Sequence, residues 1–187
     1  RLRLSRRQSW DQPITVVWDA DDFSTDPETG APVRKPKGST SRSAAAWMRF
    51  ETNQAKLSPN ERAIVKYYLD VPKGASGGYY ALVTFRIILT PEQQGTIGAS
   101  IQPAIVAKLL FSVGSKGKSL WKAHDLGVQI EPNTRIAEAH FTIRAEGSLH
   151  VEPEGLLRIK DANGKEIRTV SIRKDYPILP GCERHYR

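Results

Sequence analysis

The chain has 187 residues, 28 Lys and Arg against 20 Asp and Glu, a net charge of +8 and a hydrophobic content of 39%. That is enough chain and enough apolar side chain for one large domain or two ordinary sandwiches, and no apolar run approaches the ~20 residues of a membrane-spanning helix. The single Cys182 excludes an internal disulfide framework; the basic balance suits anionic partners such as lipid headgroups or acidic envelope polymers, but no RNA-binding signature accompanies it, nucleic acid is not expected, and solvated surface charge is the preferred reading.

Taken in chain order, Leu2 and Leu4 give a first short strand signal, and Ile14, Val16 and Trp18 a second. The stretch from Asp19 to Arg42 is polar and carries Pro27, Pro32, Pro36, Gly30 and Gly38, so it reads as a long connecting loop. Within it, Asp19 to Glu28 gathers five carboxylates, the oxygen ligands that calcium prefers. Phe23 and Ser24 break the EF-hand pattern, and an ordinary strand connection with Phe23 turned to the core is the better reading. A strand is expected around Trp47–Glu51, then a bend through Leu57-Ser58-Pro59-Asn60-Glu61. Val65, Tyr67, Leu69 and Val71 follow at period two, with Lys66 and Asp70 between them. The bend Pro72–Gly78 leads to a longer alternation through Tyr79, Ala81, Val83, Phe85, Ile87 and Leu89, which predicts a half-buried antiparallel strand.

Thr90–Ser100 is a predicted loop, after which Ile101, Ile105, Ala107, Leu109, Phe111 and Val113 restore period two. Gly114-Ser115-Lys116-Gly117-Lys118 reads as a linker. A second unit is expected from residue 119. Ala137, Ala139, Phe141, Ile143 and Ala145 alternate with polar residues as one strand. Leu157 and Ile159 form another, and Asn163-Gly164 marks a hairpin whose return strand carries Ile167, Val170 and Ile172 with a bulge near Thr169. A turn at Ile178–Gly181 precedes one more strand. At most five strands follow Lys118, against about seven in a full immunoglobulin-like sandwich, so the second domain is expected to be incomplete and the first to lack its opening strand. No amphipathic helix is expected.

The order of Trp47, Leu57-Ser58-Pro59-Asn60-Glu61, Val71-Pro72 and Gly77-Gly78-Tyr79-Tyr80-Ala81 resembles the amino-terminal immunoglobulin-like domain of periplasmic pilus-assembly chaperones. It is equally similar to the peptidoglycan-binding domain of WxL-type bacterial surface proteins. The resemblance runs from about Ile14 to Val113. It implies an all-β chain of two tandem immunoglobulin-like β-sandwiches, at 1–115 and 119–187, acting at the periplasm or cell surface without a cofactor. In Ile105-Val106-Ala107-Lys108-Leu109-Leu110-Phe111, Lys108 resembles the cleft lysine with which such chaperones anchor a subunit's terminal carboxylate. Arg1 and Arg3 are the available partners for the arginine that shares that task. The strand pairing with the subunit is then Ile101–Val113, with Ile101, Ile105, Leu109 and Phe111 as its apolar positions. Ser112-Val113-Gly114 stands where the family has Tyr-Arg-Pro, which puts the anchoring role in question, and a lysine on an outer strand face weighs equally against it.

The function expected is therefore a non-enzymatic, chaperone-like or scaffolding protein that takes a partner by β-strand addition. The alternative is a wall or adhesin module holding peptidoglycan or another anionic polymer through Arg34, Lys35, Lys37, Lys116 and Lys118. No nucleophile elbow, P-loop, HExxH or GxGxxG pattern is present, and His124, His140, His150 and His185 lack zinc-motif spacing.

Overall fold

The computed structural model describes residues 1–5, 12–90, 103–130, 137–172 and 176–187. Its described residues form fourteen strands and a single 3-10 turn at Ala45–Trp47. They fall into two compact units. One comprises residues 1–23, 34–75 and 79–111, and the other 24–33, 76–78 and 112–187.

In the first unit, β2 (Ile14–Thr25) is the spine. Its side chains alternate between buried and half-buried, and Ile14, Val16, Trp18 and Ala20 enter the core. On one side β2 pairs antiparallel with β8 (Gly77–Ile88), Trp18 standing opposite Phe85. On the other it pairs with β5 (Gln54–Leu57) and β3 (Pro32–Lys35), and β9 (Ala104–Val113) completes this five-stranded sheet beyond β8. Two short ladders supply the rest of the sandwich. β1 (Leu2–Ser5) pairs with β6 (Arg62–Val65), and β4 (Met48–Phe50) with β7 (Tyr67–Leu69). Met48, Leu57 and Val65 meet Ala81, Val83 and Phe85 in one core, with Leu2, Leu4, Leu69, Leu109 and Phe111 packed around it.

Three expectations need correction here, and a fourth falls outside the described residues. The Asp19–Arg42 segment is not a loop throughout, since β2 runs on to Thr25 and β3 returns beside it. Its charges hide the strand because they are paired on the sheet's outer face, Asp19 with Arg86 (2.8 Å) and with Arg34, and Asp21 with Arg34. The Val65–Val71 alternation is two strands broken at Lys66, and Val71 lies outside both and is exposed. β8 is buried on both faces from Tyr80 to Phe85 rather than half-buried. A central strand between β2 and β9 is covered on its second face too, where Phe23 meets Tyr80 edge-on at 6.4 Å. Finally, Thr90–Ser100 and Ile101 lie, but for Thr90, outside the described residues.

The second unit is built on a three-stranded sheet, β10 (Trp121–Ile130), β11 (Ala137–Ala145) and β14 (Glu183–Tyr186), all antiparallel. β10 escaped the sequence reading because a bulge between His124 and Gly127 breaks its alternation. The hairpin β12 (Gly155–Lys160) and β13 (Glu166–Ile172) turns at Asn163-Gly164, where Gly164 has φ +81°. Its bulge lies at Ile167, between the pairs Ile159–Arg168 and Lys160–Glu166, rather than near Thr169. The core is small, with Ile143, Ala145, Val151 and Ile178 buried and Phe141, Cys182 and Tyr186 beside them. The 26–31 turn is templated by Asp26, whose carboxylate accepts hydrogen bonds from the backbone of Glu28 and Thr29 and from the Thr29 hydroxyl. It is held to β14 by the His185 amide donating to the Pro27 carbonyl at 2.8 Å and by Glu28 against His185 and Arg187.

Candidate functional site

Among the described residues β9 has one ladder neighbour, β8, so its second main-chain edge closes the sheet without a strand beside it. The sequence sets which side chains face where. Ala107, Leu109 and Phe111 pack on the core, and Phe111 meets Tyr67 edge-on at 6.4 Å. Leu109 and Phe111 are therefore half-buried within their own domain, and what that part of β9 offers outward is mainly backbone. Toward its start the strand is open, with Ile105 68% and Val106 48% exposed. Val106 was not singled out by its sequence, because alternation alone assigns it to the polar phase. Ile101 lies outside the described residues.

Lys108 alternates with core-packed Ala107 and Leu109, so it stands half-buried on the outer face of the five-stranded sheet. The same face carries Asp19, Asp21, Arg34 and Arg86, since Val16, Trp18, Val83 and Phe85 take the inner one. The Asp19 carboxylate, hydrogen-bonded to the Arg86 guanidinium, holds that group even more firmly protonated. Arg3 alternates with Leu2 and Leu4 and points away from the core, and Arg1 and Arg3 are both exposed. Arg3 stands on the β1–β6 ladder, with Arg1 just ahead of it, and not on the sheet of Lys108.

The acidic stretch is fully occupied by protein partners. Asp22, wholly buried, accepts hydrogen bonds from the Thr40 amide (2.8 Å), the Thr40 hydroxyl (2.9 Å) and the Ser43 hydroxyl. Asp19 and Asp21 serve Arg34 and Arg86, Asp26 shapes its turn, and Glu28 takes His185 at 2.7 Å. The Thr29 backbone holds the Asp26 carboxyl below the usual range, and the His185 hydrogen bond does the same for Glu28. His124, His140 and His185 share the outer face of the β10–β11–β14 sheet, His124 and His185 both opposite Thr142. No grouping of three metal-binding side chains occurs among the described residues. Of the basic loop residues, Arg34 is committed to aspartates, while Lys35 and Lys37 are exposed.

No family model matches the chain and no curated protein matches it. Solved structures do. A chain from a chaperone–tip adhesin complex of CFA/I fimbriae aligns over 98% of this chain and 75% of its own length, at 12% identity and a TM-score of 0.55. The CsuC–CsuE chaperone–tip adhesion subunit complex of Acinetobacter baumannii Csu pili aligns over 99% and 78%, at 10% identity and 0.52. The CupB2 chaperone of Pseudomonas aeruginosa aligns over 100% and 79%, at 14% identity and 0.50. At these identities the likeness is one of fold. The chain is all-β and has the immunoglobulin-like architecture of pilus-assembly chaperones, while the likeness to WxL-type proteins rests on sequence motifs alone.

Proposed function

We propose that this chain is a non-enzymatic, extracytoplasmic chaperone-like or scaffolding protein that binds a protein partner by β-strand addition along β9. The observation that carries the reading is an edge strand whose far side has no ladder neighbour among the described residues and whose leading residues, Ile105 and Val106, are exposed. Such an edge is an aggregation hazard unless something covers it, and an extended segment satisfies its amides and carbonyls while alternate side chains set selectivity. Lys108, on the outer face beside that edge, is assigned the partner's terminal carboxylate, a task that Arg1 and Arg3 do not share because they stand at the β1–β6 ladder. A charge-assisted hydrogen bond of this kind is about twice as strong as a neutral one. The partner class this suits is a subunit of a surface assembly in the bacterial envelope.

The test is capture from native envelope with the chain and its Lys108→Ala variant. Partner recovery should fall about tenfold or more while the melting temperature stays within about 2 °C, since a half-exposed lysine adds little to folding. Equal recovery by both proteins removes the anchor, and no recovered protein removes strand addition. The polymer-binding alternative predicts sedimentation with purified wall material that is lost as salt rises, and it is weakened by the commitment of Arg34 to Asp19 and Asp21.

A further inference from the structure

The second unit holds a sandwich with one layer narrower than the other. The inner face of β11 is covered, with Ile143 and Ala145 buried. The inner face of β10 is not. Trp121 stands opposite Ala145, Val128 opposite Ala139 and Ile130 opposite Ala137, so all three point to the side that β11 buries. They are nevertheless 57, 59 and 68% exposed. Among the described residues the opposing ladder is the β12–β13 hairpin, whose inward residues Leu157, Ile159, Arg168, Val170 and Ile172 line a cleft of about 640 Å³ with Phe141 and Tyr186. A hairpin spans two strand positions at about 4.8 Å each, whereas the sheet it faces spans three.

The two edges of that hairpin are not equivalent. β13 carries the bulge at Ile167, a device that disrupts pairing and twists an edge away. β12 is regular from Gly155 to Lys160 and, among the described residues, has no ladder partner but β13. Its inward residues are apolar, and its outward ones include Arg158 and Lys160, both exposed. Those cations oppose pairing with a second copy of β12, which would bring like charges together, and they match carboxylates at the same spacing.

We infer that the free edge of β12 is a second strand-acceptor site, separate from β9, and that its occupant is an extended segment of a partner polypeptide with apolar residues alternating with acidic ones. Added beside β12, such a strand makes the narrow layer three strands wide. Its apolar side fills the cleft toward Val128 and Ile130, and its acidic side meets Arg158 and Lys160. The inference stands whether or not β9 accepts a partner.

The probe is a fluorescein-labelled ten-residue peptide alternating Val or Ile with Glu, titrated onto the 187-residue chain and read by anisotropy. Saturable binding is expected, weakened at least tenfold by Val128→Glu and by replacing the peptide's Glu residues with Lys. It should be unchanged by Val106→Glu on β9, which separates this site from the proposed function. Backbone amide exchange should slow in β12 on binding. Val128 is more than half exposed, so its variant is expected to fold, and an unchanged melting curve confirms that. The inference is overturned if the Lys peptide binds as well as the Glu peptide, or if Val128→Glu has no effect. It is overturned equally if the free chain is a dimer that Val128→Glu dissociates, because the face then belongs to a second copy.

Discussion

Replacing Asp22 by Ala is the sharpest test of how the first unit is held together. The carboxylate is fully buried on β2 and accepts three hydrogen bonds, two from Thr40 and one from Ser43, whose own hydroxyl accepts from the Ala46 amide. One side chain thus fixes the entry to the 3-10 turn and the end of the basic loop. In Asp22→Ala the two hydroxyls can rotate toward other acceptors, but the Thr40 amide cannot. A stranded donor costs about 1–3 kcal/mol, and hydrogen bonds to a charged acceptor contribute about 1.5–3 kcal/mol each. Counting one stranded amide and one irreplaceable charged bond gives a loss of about 2.5–6 kcal/mol. Asp22→Asn keeps one acceptor for the amide, and its NH₂ group can donate to a reoriented Ser43 hydroxyl, so about 1–2 kcal/mol is expected. Urea unfolding of the three proteins, followed by Trp fluorescence with Trp18 buried in the same core, reads the difference directly. An Ala variant within about 0.5 kcal/mol of the parent, or an Asn variant no better than Ala, refutes the assignment of Asp22 as the organiser of this corner.

The remaining expectations concern other parts of the chain. Glu28 and Asp26 have folded pKa values depressed below the ordinary carboxylate range, so their stabilising contribution is present above the unfolded value of about 4 and disappears as pH falls through the folded one. Glu28→Gln should therefore lower stability at neutral pH and converge on the parent as pH falls through the folded pKa of Glu28, flattening the acid limb of a stability–pH profile; a variant profile that runs parallel to the parent's at every pH counts against the His185 pairing. Gly147→Ala should destabilise by about 3 kcal/mol or more, because a Cβ there collides with the backbone carbonyl of Lys118 and the amide of Leu120, which cannot swing aside as side chains do; a melting temperature within about 2 °C of the parent refutes this. Millimolar calcium should leave the melting temperature unchanged, given that every carboxylate from Asp19 to Glu28 already has a protein partner; a rise would return that stretch to candidacy as a cation site.

Much of the architecture was legible because local chemistry determines it. Alternation at period two identified β8, β9 and β11, Asn163-Gly164 placed the hairpin, and the Trp47 to Ala81 motif order led to the immunoglobulin-like fold. Lys108 could be assigned to the face opposite Leu109 and Phe111 from alternation alone. Other features depend on partners distant in sequence. The Asp19–Arg42 segment looked like a loop because its charges read as solvent-exposed, and only the pairing of β2 with β3 and β8 shows them neutralising one another across strands. β8 is buried on both faces because of what packs over each, which no property of its own residues reveals. β10 was invisible because a bulge resets its phase, and the exposed face of Val128 and Ile130 follows from the two-strand width of the layer opposite. Sequence by itself determined which faces are apolar; tertiary structure decided which of those faces are covered, because burial depends on the strands that happen to stand across from a residue, and those are chosen by the whole chain.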